Sequence, residues 1–130
     1  MVPQDLTHHV KVELALKTDA TTGATIDTLG FNGLAFAIVV DTLSDSADIA
    51  LPVEESVDGT NWTTVASDDL HGESVVLNDA YKAANGADSG AQLGYIGSKR
   101  YVRLRKAVTA GTANVTATAV LGHPELVPTY

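Results

Sequence analysis

The chain has 130 residues, of which 45% are hydrophobic, with no cysteine and a formal net charge of −8. This length predicts one domain that buries roughly two thirds of its unfolded surface without disulfides, and the absence of cysteine fits an intracellular origin. The excess of acidic residues argues against general nucleic-acid binding. The longest apolar run, residues 33–40, is too short to cross a bilayer. Residues 1–9 lack the apolar segment of a signal peptide.

The first forty residues predict an arm followed by three strands. Residues 1–9 are expected to form an extended arm. Alternation of apolar with charged or small residues over 10–17 predicts a strand with one solvated face, and residues 25–29 predict a short strand. Residues 34–40 are apolar throughout, which predicts a mid-sheet strand whose outer face is covered by a loop or by another subunit.

Residues 49–66 predict the β-hairpin around which the chain is organised. Apolar residues alternate with others before and after the turn, as in a half-buried strand. Asp58-Gly59 supplies the turn, because glycine adopts a positive φ without strain. Trp62 is the only tryptophan, and we expect it to be a core residue that seals one end of a sandwich.

The second half of the chain predicts further short strands. Residues 74–77 predict a strand, and residues 78–91 predict mainly a long loop, which could carry one helical turn around residues 80–84. Residues 92–96 and 99–107 predict a hairpin about Gly97-Ser98. On its second strand, Val102 and Leu104 share one face, while Tyr101, Arg103 and Arg105 form a stripe on the other.

The end of the chain completes a regular all-β pattern. Residues 113–121 predict the last strand, and the proline-containing tail, residues 123–130, is not expected to continue a central strand. About eight short strands with evenly spaced turns predict an antiparallel β-sandwich or jelly roll. We expect a single sandwich domain over residues 10–122.

The charged residues are unevenly distributed. Ten of the sixteen acidic residues lie between Asp41 and Asp79, and five of the eight basic residues lie between Lys99 and Lys106. This distribution allows a basic strand to contact an acidic loop of a neighbouring copy. We favour the simpler interpretation, in which an acidic, solvated surface keeps the protein soluble.

No pattern predicts catalysis or a bound metal. The motifs of nucleophilic, phosphate-binding and dinucleotide-binding sites are absent, and Glu54 and Glu55 are expected to point to opposite faces of a strand. The histidines lack the spacing of a zinc site. The aspartates could surround calcium, but we prefer a solvated acidic rim. These residues are His8, His9, His71 and His123, and Asp41, Asp45, Asp48, Asp68 and Asp69.

Two surface functions are considered for the aromatic residues. Trp62 is a candidate sugar platform, although the core position is preferred because the chain has only seven aromatic residues. The stripe of Tyr101, Arg103 and Arg105 suits a protein partner better than stacked bases, since tyrosine and arginine are enriched in interface hot spots. A plain solvated face is an equal alternative.

Two resemblances arise from these stretches. Residues 56–65 and 99–104 resemble the paired motifs of discoidin-type, galactose-binding-like sandwiches over about a quarter of the chain. A longer series resembles small structural proteins of tailed bacteriophages, from the head and head–tail genes. That series spans most of the chain in order and comprises residues 26–31, 34–40, 54–62, 94–97, 99–103 and 119–124.

The phage resemblance implies a virion component without catalytic residues. We expect a capsid decoration (cement) protein, present as a homo-oligomer that binds the major capsid protein or other virion proteins, without a cofactor, nucleic acid or membrane. It would be located in the virion after assembly in the bacterial cytoplasm. The alternatives are a carbohydrate-binding module and a neck or tail-completion protein. The expected partner contacts are Val2, Pro3, His8, His9, Tyr101, Arg103, Arg105, His123, Pro124 and Tyr130.

Overall fold

The computed structural model of the chain describes residues 11–18, 20–86 and 89–124, apart from the side chains of Asn32, His123 and Pro124. Its paired strands are antiparallel and form sheets that pack around one hydrophobic core. The all-β, sandwich-like single domain expected from the strand pattern is therefore confirmed. The predicted arm lies outside the described residues, and so does the tail beyond residue 124.

Strand segments account for most of the described residues. Between them lie one short α-helix, α1 (Asp79–Asn85), and a 3-10 turn (Ser67–Asp69). In chain order the strands are β1 (Lys11–Leu16), β2 (Ile26–Asp27), β3 (Phe31–Leu43), β4 (Asp48–Leu51), β5 (Val53–Ser56), β6 (Thr63–Thr64), β7 (Leu70–His71), β8 (Val75–Asn78), β9 (Ser89–Tyr95), β10 (Tyr101–Leu104), β11 (Ala107–Ala110) and β12 (Ala113–Pro124).

The sheets form two layers. One layer is a five-stranded sheet in the order β1-β12-β3-β9-β7. The other combines a four-stranded sheet, β2-β10-β5-β6, with a three-stranded sheet, β11-β4-β8. Pro52 alone separates β4 from β5, and its carbonyl accepts a hydrogen bond from the backbone N–H of Arg105 at 2.9 Å. Because proline cannot donate a ladder hydrogen bond, the strand changes sheet at this point.

The core lies between the layers and follows the period of two of the strands. On β3, the side chains of Leu34, Phe36, Ile38 and Val40 are buried, while Ala35, Ala37 and Val39 point to the opposite face and are exposed. Burial of each large apolar side chain contributes about 1.5–3 kcal/mol relative to exposure. The opposing layer supplies Ile26, Ile49, Leu51, Val53, Leu77, Val102 and Leu104 to the same core.

The expected orientation of β1 is wrong. Val12 and Leu14 are 63% and 48% exposed, although alternation places them on the apolar face of the strand. The register of β1 against β12 shifts between Leu14 and Leu16, so that Ala15 and Leu16 are both buried. The irregularity interrupts the period of two, as a β-bulge does. The first part of β1 therefore presents its apolar side chains to the outer face of the five-stranded sheet.

Residues 78–91 do not form the long loop that we expected. They contain α1 and the beginning of β9. The side chain of Asn78 accepts a hydrogen bond from the backbone N–H of Tyr81 at 2.8 Å, and Gly86, with φ of 90°, ends the helix. Asparagine before a helix and glycine after it are common capping residues, and they were the available signal for this helix.

The predicted pairing of residues 92–96 with 99–107 is also wrong. β9 pairs with β3 and β7, whereas β10 pairs with β2 and β5, so the two segments lie in different sheets. The hairpin predicted over residues 49–66 is confirmed only for β5 and β6, with Glu54 opposite Thr64, because β4 pairs with β8 and β11 in another sheet. The predicted start of the tail at residue 123 is wrong as well, because β12 continues to Pro124. Pro124 pairs with Phe31 at the last position of the ladder between β12 and β3.

Candidate functional site

Aromatic and charged side chains lie next to one another on the outer face of the four-stranded sheet. In β10, Val102 and Leu104 are fully buried, so Tyr101 and Arg103 point outward and are half-buried. Arg105 follows directly and is also half-buried. The stripe of Tyr101, Arg103 and Arg105 expected from the alternation is therefore present on this face.

A buried carboxylate holds two arginines of this stripe. Glu54 lies opposite Arg103 in the β5–β10 ladder and is only 7% exposed. Its Oε1 accepts a hydrogen bond from Nε of Arg103 at 2.7 Å, and its Oε2 accepts one from Nη1 of Arg105 at 3.3 Å. Because the carboxylate is removed from water, these charge-assisted bonds fix both guanidinium groups. We call Glu54, Trp62, Arg103 and Arg105 the Trp–Arg cluster.

Trp62 belongs to this surface and not to the core. It is half-buried and lies outside the hydrophobic core cluster, so the expected core position is wrong. Thr64 pairs with Glu54, and Trp62, two residues earlier, lies on the same outward side. The guanidinium carbon of Arg103 lies 4.2 Å from the centre of the indole ring. A cation–π contact of this kind contributes about 0.5–2 kcal/mol, depending on exposure.

The turn before Trp62 is closed by the side chain of Asp58. Its Oδ1 accepts hydrogen bonds from the backbone N–H groups of Thr60 and Asn61 at 2.8 and 2.9 Å, and from the hydroxyl of Ser56 at 2.9 Å. These donors hold the pKa of Asp58 well below its ordinary value. The expected turn chemistry of Asp58-Gly59 is confirmed, since Gly59 has a φ of 76°. This turn positions Trp62 beside Arg103.

A second ion pair extends the patch towards β2. Asp27 accepts hydrogen bonds from Nε and Nη2 of Arg100, both at 2.9 Å, in a bidentate arrangement. The bond from Arg100 lowers the pKa of Asp27. The guanidinium carbon of Arg100 also lies 5.0 Å from the centre of the Tyr101 ring. Both charged groups are about half exposed, so water screens this pair and it contributes little to stability.

The inner side of the same sheet contains a different polar contact. Glu55 faces away from Glu54, and its Oε1 accepts a hydrogen bond from the hydroxyl of Tyr95 at 2.7 Å. That hydroxyl also accepts a hydrogen bond from the backbone N–H of Lys99 at 3.0 Å. Burial raises the pKa of Tyr95 well above its ordinary value. The contact joins β9 of one layer to β5 of the other and is structural.

Several carboxylates bind neighbouring side chains within the fold. Glu54 and Glu55 lie on opposite faces of β5, as predicted, and each carboxylate has its own partner. Within residues 11–18, 20–86 and 89–124, no group of three or more metal-ligating side chains is found. Of the aspartates considered for calcium, Asp45 instead accepts a hydrogen bond from Nζ of Lys82 at 2.7 Å.

The structure bears on only some of the predicted partner residues. Val2, Pro3, His8, His9 and Tyr130 lie outside the described residues. His123 and Pro124 are described only through the backbone of β12.

The outer face of the five-stranded sheet is a second surface, which the sequence analysis anticipated only at residues 34–40. It includes Val12, Leu14 and Val39, which are all exposed. The uninterrupted apolar run of residues 34–40 was the signal for it, because such a strand has apolar groups on both faces. Among the residues that the structure describes, none covers the outer side of β3, where Ala35, Ala37 and Val39 are exposed.

Comparison with known proteins adds no family assignment. No protein-family model matches the chain, and no curated protein matches it at a significant level. Among the described residues, no helix has the length and apolar character needed to cross a membrane.

Proposed function

We propose that the chain is a non-enzymatic structural protein of a bacteriophage virion, and that it decorates and stabilises the head shell. The observation that carries the proposal is the Trp–Arg cluster, an aromatic and cationic surface held on paired strands. Tryptophan, tyrosine and arginine are the residues most enriched in protein-interface hot spots. The resemblance of most of the chain to phage head and head–tail proteins supports the same function.

The contacts within the cluster favour binding to a preformed partner surface. Arg103 is held by Glu54 and by the Trp62 ring, and Arg105 is held by Glu54. A side chain that is already ordered loses less conformational entropy when it binds, which otherwise costs about 0.5–1.5 kcal/mol for each flexible side chain. The arm (residues 1–9) and the tail (residues 123–130) remain proposed contacts with the major capsid protein.

The proposed mechanism is mass action. Many copies bind the assembled shell more tightly than they bind loose capsid subunits, so binding stabilises the shell against the pressure of the packaged DNA. The chain would be incorporated in the bacterial cytoplasm and would remain in the virion.

The first experiment is to measure the copy number of this chain in gradient-purified particles of its phage, relative to the major capsid protein. A ratio near one, or a simple fraction of it, is expected for a decoration protein. A handful of copies would instead indicate a neck or tail-completion protein. Absence of the chain from particles would refute the virion proposal.

A binding experiment tests the cluster itself. Arg105→Ala is expected to weaken binding to shells that lack the chain by about tenfold or more, as for a hot-spot residue. Lys82→Ala is the matched control, because Lys82 is also ion-paired but lies on α1, outside the four-stranded sheet. Equal effects of the two substitutions would contradict a role for the cluster.

The surface position of Trp62 favours one second candidate, a carbohydrate-binding module. One side of the indole is covered by Arg103, and the residue remains half-exposed beside polar groups of the turn. Sugar binding would shift or quench the fluorescence of this single tryptophan. A signal unchanged across a panel of host glycans would argue against this function.

A further inference from the structure

The outer face of the five-stranded sheet is uncharged over four neighbouring strands. Val12 on β1 lies opposite Val120 on β12, which lies opposite Ala35 on β3, which lies opposite Gly94 on β9. The next outward row consists of Leu14, Thr118, Ala37 and Gln92. A third row adds Thr116, Val39 and Gly90. We call these eleven residues the flat face.

The composition of the flat face differs from that of an ordinary solvated sheet. An antiparallel sheet with one face in water usually alternates apolar residues inside with polar residues outside. Here Val12, Leu14 and Val39 are each about half exposed or more, and the remaining positions are glycine, alanine, threonine, valine and glutamine. The acidic residues that give the chain its net charge of −8 are absent from these rows. An exposed apolar patch of this kind marks an interaction site.

We propose that the flat face is a self-association surface, on which a second copy of this chain packs face to face. The inference rests on the proposed function, in which many copies bind one shell, and it names the contact of the homo-oligomer that the sequence analysis expected. Two copies related by a twofold axis present the same patch to each other, so an uncharged patch meets its copy without burying a charge. A charged partner surface would find no group of opposite charge within these rows.

The shape of the flat face also suits a second sheet. Its glycine, alanine and threonine side chains are short, so two copies can approach to the spacing of about 10 Å that is typical of stacked sheets. A shallow depression of about 610 Å³, lined by Ala37, Val39, Gly90 and Gln92, lies at the centre of the sheet.

The area of the flat face sets the expected strength of association. Four strands spaced by about 4.8 Å, over the five residues of about 3.4 Å each that the three rows span, give a footprint of about 330 Å². Two copies then bury about 650 Å² in total, which is less than the value of about 1,200 Å² at which standard specific interfaces begin and is in the range of weak, transient contacts. We therefore expect only weak association of the free protein, with a dissociation constant of about 100 μM, and many copies on a shell would reinforce it.

Sedimentation velocity of the full chain from about 1 to about 500 μM tests the inference, because this range brackets the expected dissociation constant. The mass is expected to rise from that of a monomer to that of a dimer. Val39→Asp is expected to weaken association by about tenfold or more, since each interface would bury two carboxylates. Val108→Asp is the matched control, because Val108 is 48% exposed, against 52% for Val39, but lies on β11 in the other layer.

A second variant covers the case in which Val39→Asp impairs folding. Val39→Thr keeps a β-branched side chain but replaces one methyl group by a hydroxyl, and it is expected to weaken association by about two- to fivefold while the chain remains folded. A wild-type chain that stays monomeric at all concentrations would overturn the inference. So would equal weakening by Val39→Asp and Val108→Asp.

The same samples separate a second copy from a covering segment of the same chain. If another segment covered the flat face, the wild type would stay monomeric, and Val39→Asp would lower the stability of that monomer more than Val108→Asp does. This outcome would also overturn the inference. Association is measured without phage particles, so its failure is distinct from the failure of the copy-number experiment.

Discussion

Replacing Glu54 with alanine is expected to destabilise the protein and to release the Trp–Arg cluster. Glu54 is 7% exposed, and it is the common acceptor for Arg103 at 2.7 Å and Arg105 at 3.3 Å. Without this carboxylate, both guanidinium groups lose the acceptor that fixes them. Arg103 is then free to leave the indole ring of Trp62.

The magnitude follows from the geometry of the two bonds. A hydrogen bond to a charged group contributes about 1.5–3 kcal/mol, and only the shorter of these two bonds has the length of a strong one. Removing one partner of a fully buried ion pair costs about 3–5 kcal/mol, but the side chains of Arg103 and Arg105 are 21% and 42% exposed and regain water. We therefore expect Glu54→Ala to lower the free energy of unfolding by about 2 kcal/mol, and Glu54→Gln by about 1 kcal/mol, because glutamine keeps one acceptor.

Urea unfolding followed by the fluorescence of Trp62 measures these changes. Asp27→Ala is the control, since it also removes the carboxylate of an arginine ion pair on the same face, but from an exposed position. This control is expected to cost less than about 1 kcal/mol. The native-state emission of Trp62 should change with Glu54→Ala and remain unchanged with Asp27→Ala.

The reasoning would be refuted if Glu54→Ala cost no more than Asp27→Ala. That result would mean that the buried carboxylate contributes no more than a surface charge. A large loss of stability with unchanged Trp62 emission would refute the second part alone, namely that Glu54 holds Arg103 against the indole.

Three further predictions concern the polar contacts and turns of the fold. Tyr95→Phe is expected to cost about 1–3 kcal/mol in urea unfolding, because it leaves Glu55 and a backbone N–H without their partner, and a cost near zero would contradict the interlayer contact. Gly111→Ala is expected to cost about 1–3 kcal/mol more than Gly30→Ala. Both glycines have positive φ, but an added Cβ at Gly111 would lie 2.7 Å from its nearest atom, whereas one at Gly30 would have no atom within 4 Å. Equal losses of stability for the two substitutions would contradict this explanation. Since folding lowers the pKa of Asp58, its stabilising contribution is present above the ordinary aspartate pKa of about 3.9 and is lost as the pH falls below it. Urea titrations from pH 7 downwards should therefore show a smaller acid-induced loss of stability for Asp58→Ala than for the wild type, and parallel curves would contradict it.

The candidate site was partly predictable from the sequence. The stripe of Tyr101, Arg103 and Arg105 was expected, because alternation places buried Val102 and Leu104 on the other side of the same strand. The carboxylate that holds the stripe was not expected. Glu54 is 49 residues from Arg103 in sequence, so only the pairing of β5 with β10 brings them together.

The amino-acid sequence by itself determined the features that depend on neighbouring residues. These features are the all-β class, the apolar character of both faces of residues 34–40, and the turn at Asp58-Gly59. The period of two and the turn chemistry act over a few residues, so they can be recognised without knowledge of the fold.

Only the tertiary structure decided which strands pair and which face of each sheet the other layer covers. It placed β9 and β10 in different sheets, put Trp62 on the surface beside Arg103, and turned Val12 outward on the flat face. The physical reason is that strand pairing and face burial depend on residues far apart in sequence. A strand that is apolar on one or both sides is compatible with several pairings, and long-range packing selects among them.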